Sequence, residues 1–89
     1  MAGRGEVEAY RILLLIVHHL ADNPDEVKID IVRGLCSTTL CIKADQRDTS
    51  FLIGRDGRTA DSIRVILAGI GRKAHWPYHL EIEGRSRIL

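Results

Sequence analysis

The chain has 89 residues, a length that supports one hydrophobic core rather than two. Apolar residues make up 45% of it and aromatic ones 4%, which predicts a core of Ile, Leu and Val and excludes a disordered chain. Thirteen basic against twelve acidic side chains exclude a global positive field, yet residues 51–89 hold seven basic and four acidic groups while residues 1–50 hold six and eight. The positive potential is therefore local and centres on Arg55, Arg58, Arg64, Arg72 and Lys73.

From Glu6 to Ala21, the residues Tyr10, Leu13, Leu14, Val17, Leu20 and Ala21 recur at three-and-four spacing, which predicts a helix with one buried stripe. Ile12, Leu15 and Ile16 carry the apolar surface further around the cylinder than one face of a small sheet needs, so a second chain is the expected cover, with Ile12 or Leu15 near the contact. The apolar run from Ile12 to Val17 is far shorter than the roughly 20 residues of a membrane span, and no signal-peptide cleavage pattern follows it, so a cytoplasmic location with no membrane partner is expected. His18 and His19 are neighbours about 100° apart on the helix, which does not suit a shared metal. Asp22-Asn23-Pro24-Asp25 ends the helix, because Pro24 cannot continue it and biases Asn23 toward extended geometry.

Two alternating runs follow, Val27 to Arg33 and Cys36 to Lys43, and read as strands joined by a tight turn at Gly34-Leu35. Cys36 and Cys41 lie five apart in the second of them and so point to opposite faces, as reduced packing residues that neither pair nor share a metal. Ala44 to Asp48 reads as a loop, with Asp48 or Thr49 capping a short helical turn through Phe51, Leu52 and Ile53. A longer helix runs from about Arg58 to Ile70, burying Ala60, Ile63, Ile66, Leu67 and Ile70 and turning Arg58, Asp61 and Arg64 away, and Gly69 and Gly71 weaken its end. Pro77 opens a last strand in which Tyr78, Leu80 and Ile82 alternate with His79, Glu81 and Glu83. The order helix, strand, strand, helix, helix, strand predicts an α+β fold, a three-stranded mixed sheet with helices on one face and a right-handed crossover into the last strand. One domain is expected over 6–83, with flexible ends at 1–5 and 84–89.

The most informative stretch is Phe51-Leu52-Ile53-Gly54-Arg55-Asp56-Gly57-Arg58, an apolar turn that enters a Gly-x-x-Gly loop and leaves into a helix with a basic residue at its start. Glycines at both ends let a sugar-phosphate chain approach the backbone, and the loop amides lie at a helix N-terminus, where anions are favoured. Arg55 and Arg58 suit phosphate oxygens, and Ile53 offers an apolar surface to a base. Two glycines three apart also arise from a helix C-cap followed by an ordinary turn, and it is the flanking turn, helix and strand that favour the nucleic-acid reading.

These residues, with Asp22-Asn23-Pro24-Asp25-Glu26-Val27, Gly57-Arg58-Thr59-Ala60 and Leu80-Glu81-Ile82, make the chain from about Tyr10 to Glu83 resemble the KhpA family, bacterial single-domain RNA-binding proteins of the type II KH fold. The resemblance implies a cytoplasmic RNA chaperone that binds short single-stranded RNA at the loop and works with a second KH protein of the KhpB or Jag kind, linked to cell-envelope and cell-length control. The RNA-binding residues expected are Ile53, Gly54, Arg55, Asp56, Gly57, Arg58, Arg64, Arg72 and Lys73. Asp56 departs from the family loop, which carries an uncharged residue there, and sets a carboxylate beside the phosphate path, so affinity should be weak and salt-sensitive.

Trp76 reads equally as a stacking surface for a base or as a packing plug beside Pro77, and His75 and His79 lack the companions of a metal site. Asp45, Asp48, Asp56 and Asp61 form no acid-base pair, and Ser37, Ser50 and Ser62 have no base near them, so neither an enzyme nor a cofactor is expected. The rival reading is a dimerisation or docking module, homodimeric or paired with a related KH protein, in which the partner supplies most of the RNA affinity.

Overall fold

Ala9, Leu13 and Val17, four residues apart, are buried along the first helix, α1 (Glu6–Leu20), of a computed structural model that describes residues 5–85. This stripe is rotated from the expected one: Leu14 and Leu20 are exposed, while Ile16 packs at the edge of the core. Residues 12–17 are all apolar, so periodicity could not choose the phase, and contact with the sheet chooses it. A 3-10 turn over Pro24–Glu26 leads to β1 (Lys28–Arg33), which pairs antiparallel with β2 (Thr38–Asp45), Ile29 opposite Ile42 and Ile31 opposite Leu40.

The β1–β2 connection takes residues 34–37 and is closed by the Gly34 N–H donating to the Ser37 carbonyl at 2.7 Å. Cys36 therefore sits exposed in the turn and not in a strand. Cys41 lies on β2, on the sheet face away from the helices, with its thiol 3.7 Å from the Glu83 carboxylate. Burial, and after it the negative charges of Glu83 and Glu81, push that thiol up. On the same face Lys43 reaches Asp30 at 3.0 Å across the strands.

No loop separates β2 from the next helix. The last strand residue, Asp45, is the N-cap of α2 (Gln46–Ile53) and its side chain accepts the Asp48 N–H at 3.0 Å. Asp48, which with Thr49 is one of two candidate caps in the sequence, is instead 1% exposed inside α2, and its carboxylate accepts the N–H of Asp22 at 2.9 Å and of Asn23 at 3.2 Å. The chain leaving α1 is thus fastened to α2 by a buried anion whose lone pairs face donors.

After a 3-10 turn over Arg55–Gly57, α3 (Arg58–Ala74) runs four residues beyond Ile70, through both glycines. It stops where His75 takes a left-handed conformation (φ 57°), with the His75 N–H on the Arg72 carbonyl at 3.4 Å and the Trp76 N–H on that of Gly71 at 3.0 Å. These are the two bonds of a Schellman cap, with His where glycine is usual. The buried line of α3 is Ala60, Ile63, Leu67 and Gly71, and Ile66 is exposed at its margin.

The last strand, β3 (Tyr78–Arg85), pairs parallel with β2, Leu40 beside Leu80 and Ile42 beside Ile82, in the order β1-β2-β3. It continues through Gly84 and Arg85, and the remainder of the expected ends, 1–4 and 86–89, lies outside the described residues. Leu40, Ile42, Tyr78 and Leu80 meet all three helices in one core, the architecture of a type II KH domain.

Arg33 at the end of β1 holds Glu6 at the start of α1 through two bonds, Nε to Oε1 at 2.8 Å and Nη2 to Oε2 at 2.6 Å. The hydrogen bond to Arg33 keeps the Glu6 carboxyl below its ordinary value of 4.5. The unfolded chain therefore binds that proton more readily, so the pair stabilises the fold fully above pH 4.5 and the contribution is lost as pH falls through the lowered value. Glu6→Gln is expected to lower the thermal midpoint slightly at neutral pH and to match the native chain well below pH 4.5, as followed by circular dichroism melts.

Candidate nucleic-acid interface

The chain leaves α2 at Ile53, whose side chain is 40% exposed, and turns at Gly54 with φ 78° and ψ 176°. That backbone region is open essentially to glycine alone. A Cβ there would also collide with Thr59 Oγ1 and stand 2.8 Å from Thr59 Cβ. Gly57 is different: its φ of 75° is left-handed, but nothing lies within 4 Å of where a Cβ would be. Between them Asp56 is left-handed as well (φ 56°, ψ 25°), a conformation that Asp and Asn enter more readily than other side chains. The Gly54 N–H donates to the Ser50 carbonyl at 2.9 Å and the Gly57 N–H to the Gly54 carbonyl at 3.2 Å, which closes the turn. Arg55, Asp56 and Arg58 project into solvent around it.

From the loop, α3 carries Arg58, Asp61, Val65, Ala68 and Arg72 at three-and-four spacing on its outward side, opposite the core, and Val65 is 71% exposed. Arg64, beside this line, gives its guanidinium to Asp61 at 3.2 Å. Between α3 and β3 lies an open cleft of about 770 Å³, edged by Arg64, Arg72, His75 and His79, with Ala68 and Trp76 among its walls. The Trp76 Nε1–H donates to Thr38 Oγ1 at 2.8 Å.

Of the residues singled out from the sequence, Ile53, Gly54, Arg55, Asp56, Gly57 and Arg58 form the loop and its two helical flanks, and Arg64 and Arg72 edge the cleft. Lys73 does not join them. It lines a separate depression of about 330 Å³ between α1 and α3, with Glu8 and Ile70. Ala68 and Gly71, which also line the cleft, carry no charge, ring or polar group that marks them in the sequence as cleft residues. The signal available was the shortness of the stretch from the last apolar helix position to Pro77, which forces strand and helix together. Among the described residues no three His, Cys, Asp or Glu side chains gather to hold a metal ion, and no helix is long and apolar enough to cross a membrane.

The two loop glycines should separate by mutation. Gly54→Ala is expected to destabilise the chain by about 2 kcal/mol or more, since it combines strain with a collision. Gly57→Asn should remain within about 1 kcal/mol of the native chain. Urea denaturation of both variants tests this, and equal losses would contradict the assignment.

A family model described as the KhpA/KhpB KH domain matches residues 11–82. The chain is similar to the RNA-binding protein KhpA of Borreliella burgdorferi, 38% identical over 71 residues that cover 80% of this chain and 87% of that protein. It is likewise similar to the RNA-binding protein KhpA of Aquifex aeolicus, 34% identical over 71 residues, 80% of this chain and 90% of that protein. The protein of that name from Mycobacterium bovis is 38% identical over 56 residues, 63% of this chain and 70% of the relative.

Proposed function

The chain belongs to the KhpA/KhpB KH-domain family, and from that premise we propose that it binds short single-stranded RNA at the Gly54–Gly57 loop and along the α3–β3 cleft, as a cytoplasmic RNA chaperone that does no chemistry on the strand. The observation that carries the reading is a juxtaposition: a loop whose backbone demands glycine stands at the N-terminus of α3, and the same helix brings Arg64 and Arg72 to the edge of an open cleft. Loop amides and helix N-terminus favour phosphate, Arg55 and Arg58 add charge-assisted bonds, and the exposed side chains of Ile53 and Val65 offer bases an apolar bed. Lys73, turned toward α1, acts through the local field and not through contact with a strand in the cleft.

Asp56 opposes this binding, and its left-handed backbone dictates the variant that isolates its charge. Lysine there brings strain of about 1–2 kcal/mol along with its charge, whereas Asn keeps the conformation. Asp56→Asn is expected to tighten binding roughly two- to fivefold. Arg55→Ala should weaken it and reduce the slope of log K against log salt by about 0.7. Fluorescence anisotropy with a labelled single-stranded RNA, repeated across a salt series, checks both, and an unchanged slope for Arg55→Ala takes the loop out of the phosphate path.

A second reading is favoured by the apolar surface left on the helices, with Leu14, Leu15 and Ile66 exposed by 46%, 61% and 42%. In that reading the chain is a docking module, homodimeric or joined to a KH protein of the KhpB or Jag kind, whose partner supplies most of the RNA affinity, within the cell-envelope and cell-length role that the resemblance implies. Either assembly, homodimer or heterodimer, would use a contact on α1 with Ile12 or Leu15 near it. Leu15→Glu is expected to return a concentration-dependent dimer to constant monomer mass in sedimentation equilibrium, and a native chain that stays monomeric at high concentration would sink the homodimer.

A further inference from the structure

Trp76 is the single tryptophan of the chain and stands in the three-residue connection between α3 and β3. Its position is held from three sides. The ring Nε1–H donates to Thr38 Oγ1 at 2.8 Å, the backbone N–H donates to the Gly71 carbonyl at 3.0 Å, and the next residue, Pro77, accepts the Thr38 N–H at 3.0 Å. Thr38 itself is fully buried, so the group that orients the indole belongs to the rigid interior. The residue is half-buried: it packs against the core and also lines the cleft, together with Arg64, Arg72, His75 and His79.

An indole needed only to close the end of the sheet has no use for a wall on an open, cation-edged cleft. Arg58 and Arg72 are separated by about 21 Å along α3 at 1.5 Å per residue, so a strand that touches the loop and follows the helix passes several nucleotides before it reaches the indole. At that end the cleft is lined by Arg72, whose guanidinium suits a phosphate, and by the half-buried Trp76, the one indole within reach of a base. A ring already fixed by its hydrogen bonds loses little conformational freedom when a base lies on it.

We infer that Trp76 is a stacking platform for a base of the bound strand, at the end of the cleft remote from Gly54–Gly57. This rests on the reading of the cleft as the RNA site. The platform is sequence-tolerant, as every base has a π face, and it adds affinity that salt does not screen. It also extends the site beyond the loop to the α3–β3 turn.

The single tryptophan makes the test direct. With a mixed-sequence single-stranded RNA decamer, labelled for anisotropy and unlabelled for tryptophan emission, titration of the native chain is expected to quench Trp76 with the same midpoint as the anisotropy. Inorganic polyphosphate, which has charge and no bases, should compete for the cleft without quenching. Trp76→Leu is expected to weaken RNA binding roughly five- to a hundredfold with the salt slope unchanged, and Trp76→Phe to recover most of the loss. If anisotropy reports binding while emission and the affinity of a folded Trp76→Leu chain are unchanged, the platform is overturned and the RNA reading stands. If anisotropy reports no binding, the RNA reading falls and takes the platform with it. Should Trp76→Leu fail to fold, quenching of the native chain by RNA against polyphosphate decides alone, and equal emission with both overturns the inference.

Discussion

The carbonyl oxygen of Trp76 lies 2.7 Å from the point that a Cβ on Gly71 would occupy. Helix and returning chain can approach to this distance only because residue 71 has no side chain, and the Gly71 carbonyl then accepts the Trp76 N–H to close the helix. The approach sets the rest of the geometry. Tyr78 enters the core two residues later and Leu80 falls beside Leu40 in the parallel register, so β3 becomes the sheet edge that runs beside the flank of α3 carrying Arg64, Ala68 and Arg72. The cleft is the space left between that edge and the arginine-bearing side of the helix.

Among the described residues, the two non-glycine ones with left-handed backbone, Asp56 and His75, flank α3 at its two ends. Each conformation costs about 1–2 kcal/mol for an L-residue, less for Asp. Strain of this kind persists where the surroundings over-determine it, and here both sites border the proposed ligand surface. The compensation lies elsewhere in a small aliphatic core and a few polar fasteners. Asp48 ties the exit of α1 to α2 from a buried position, and Arg33 ties the start of α1 to the end of β1 from an exposed one. The first has greater leverage, because a buried carboxylate deprived of its donors keeps its desolvation penalty.

Electrostatically the chain is close to neutral, and what matters is where its charges stand. The outward side of α3 presents guanidinium groups, but Asp61 already engages Arg64, and Asp56 projects from the loop between Arg55 and Arg58. A strand laid there meets a field that is positive and modest. On the proposed reading, the neutral contributions of Ile53, Val65 and Trp76 would carry a larger share of the discrimination between RNA and any other polyanion.

The sequence by itself determined the element order, the α+β class, the Gly54–Gly57 loop and its arginine flanks, because each depends on local chemistry: periodicity, turn residues, and the positions of glycine and proline. It did not determine the phase of α1, where six successive apolar residues fit several faces equally well. The buried role of Asp48 was equally hidden, since its partners Asp22 and Asn23 are distant in sequence and backbone donors leave no mark in the residue code. Lys73 looked equivalent to Arg72 as its neighbour in a basic pair, yet about 100° of helical rotation sends one toward the cleft and the other toward α1. The placement of Trp76 belongs to the same class. Whether an aromatic beside a proline borders an open cleft or lies wholly in the core depends on how closely the helix meets the strand, and only packing at Gly71 decided that distance.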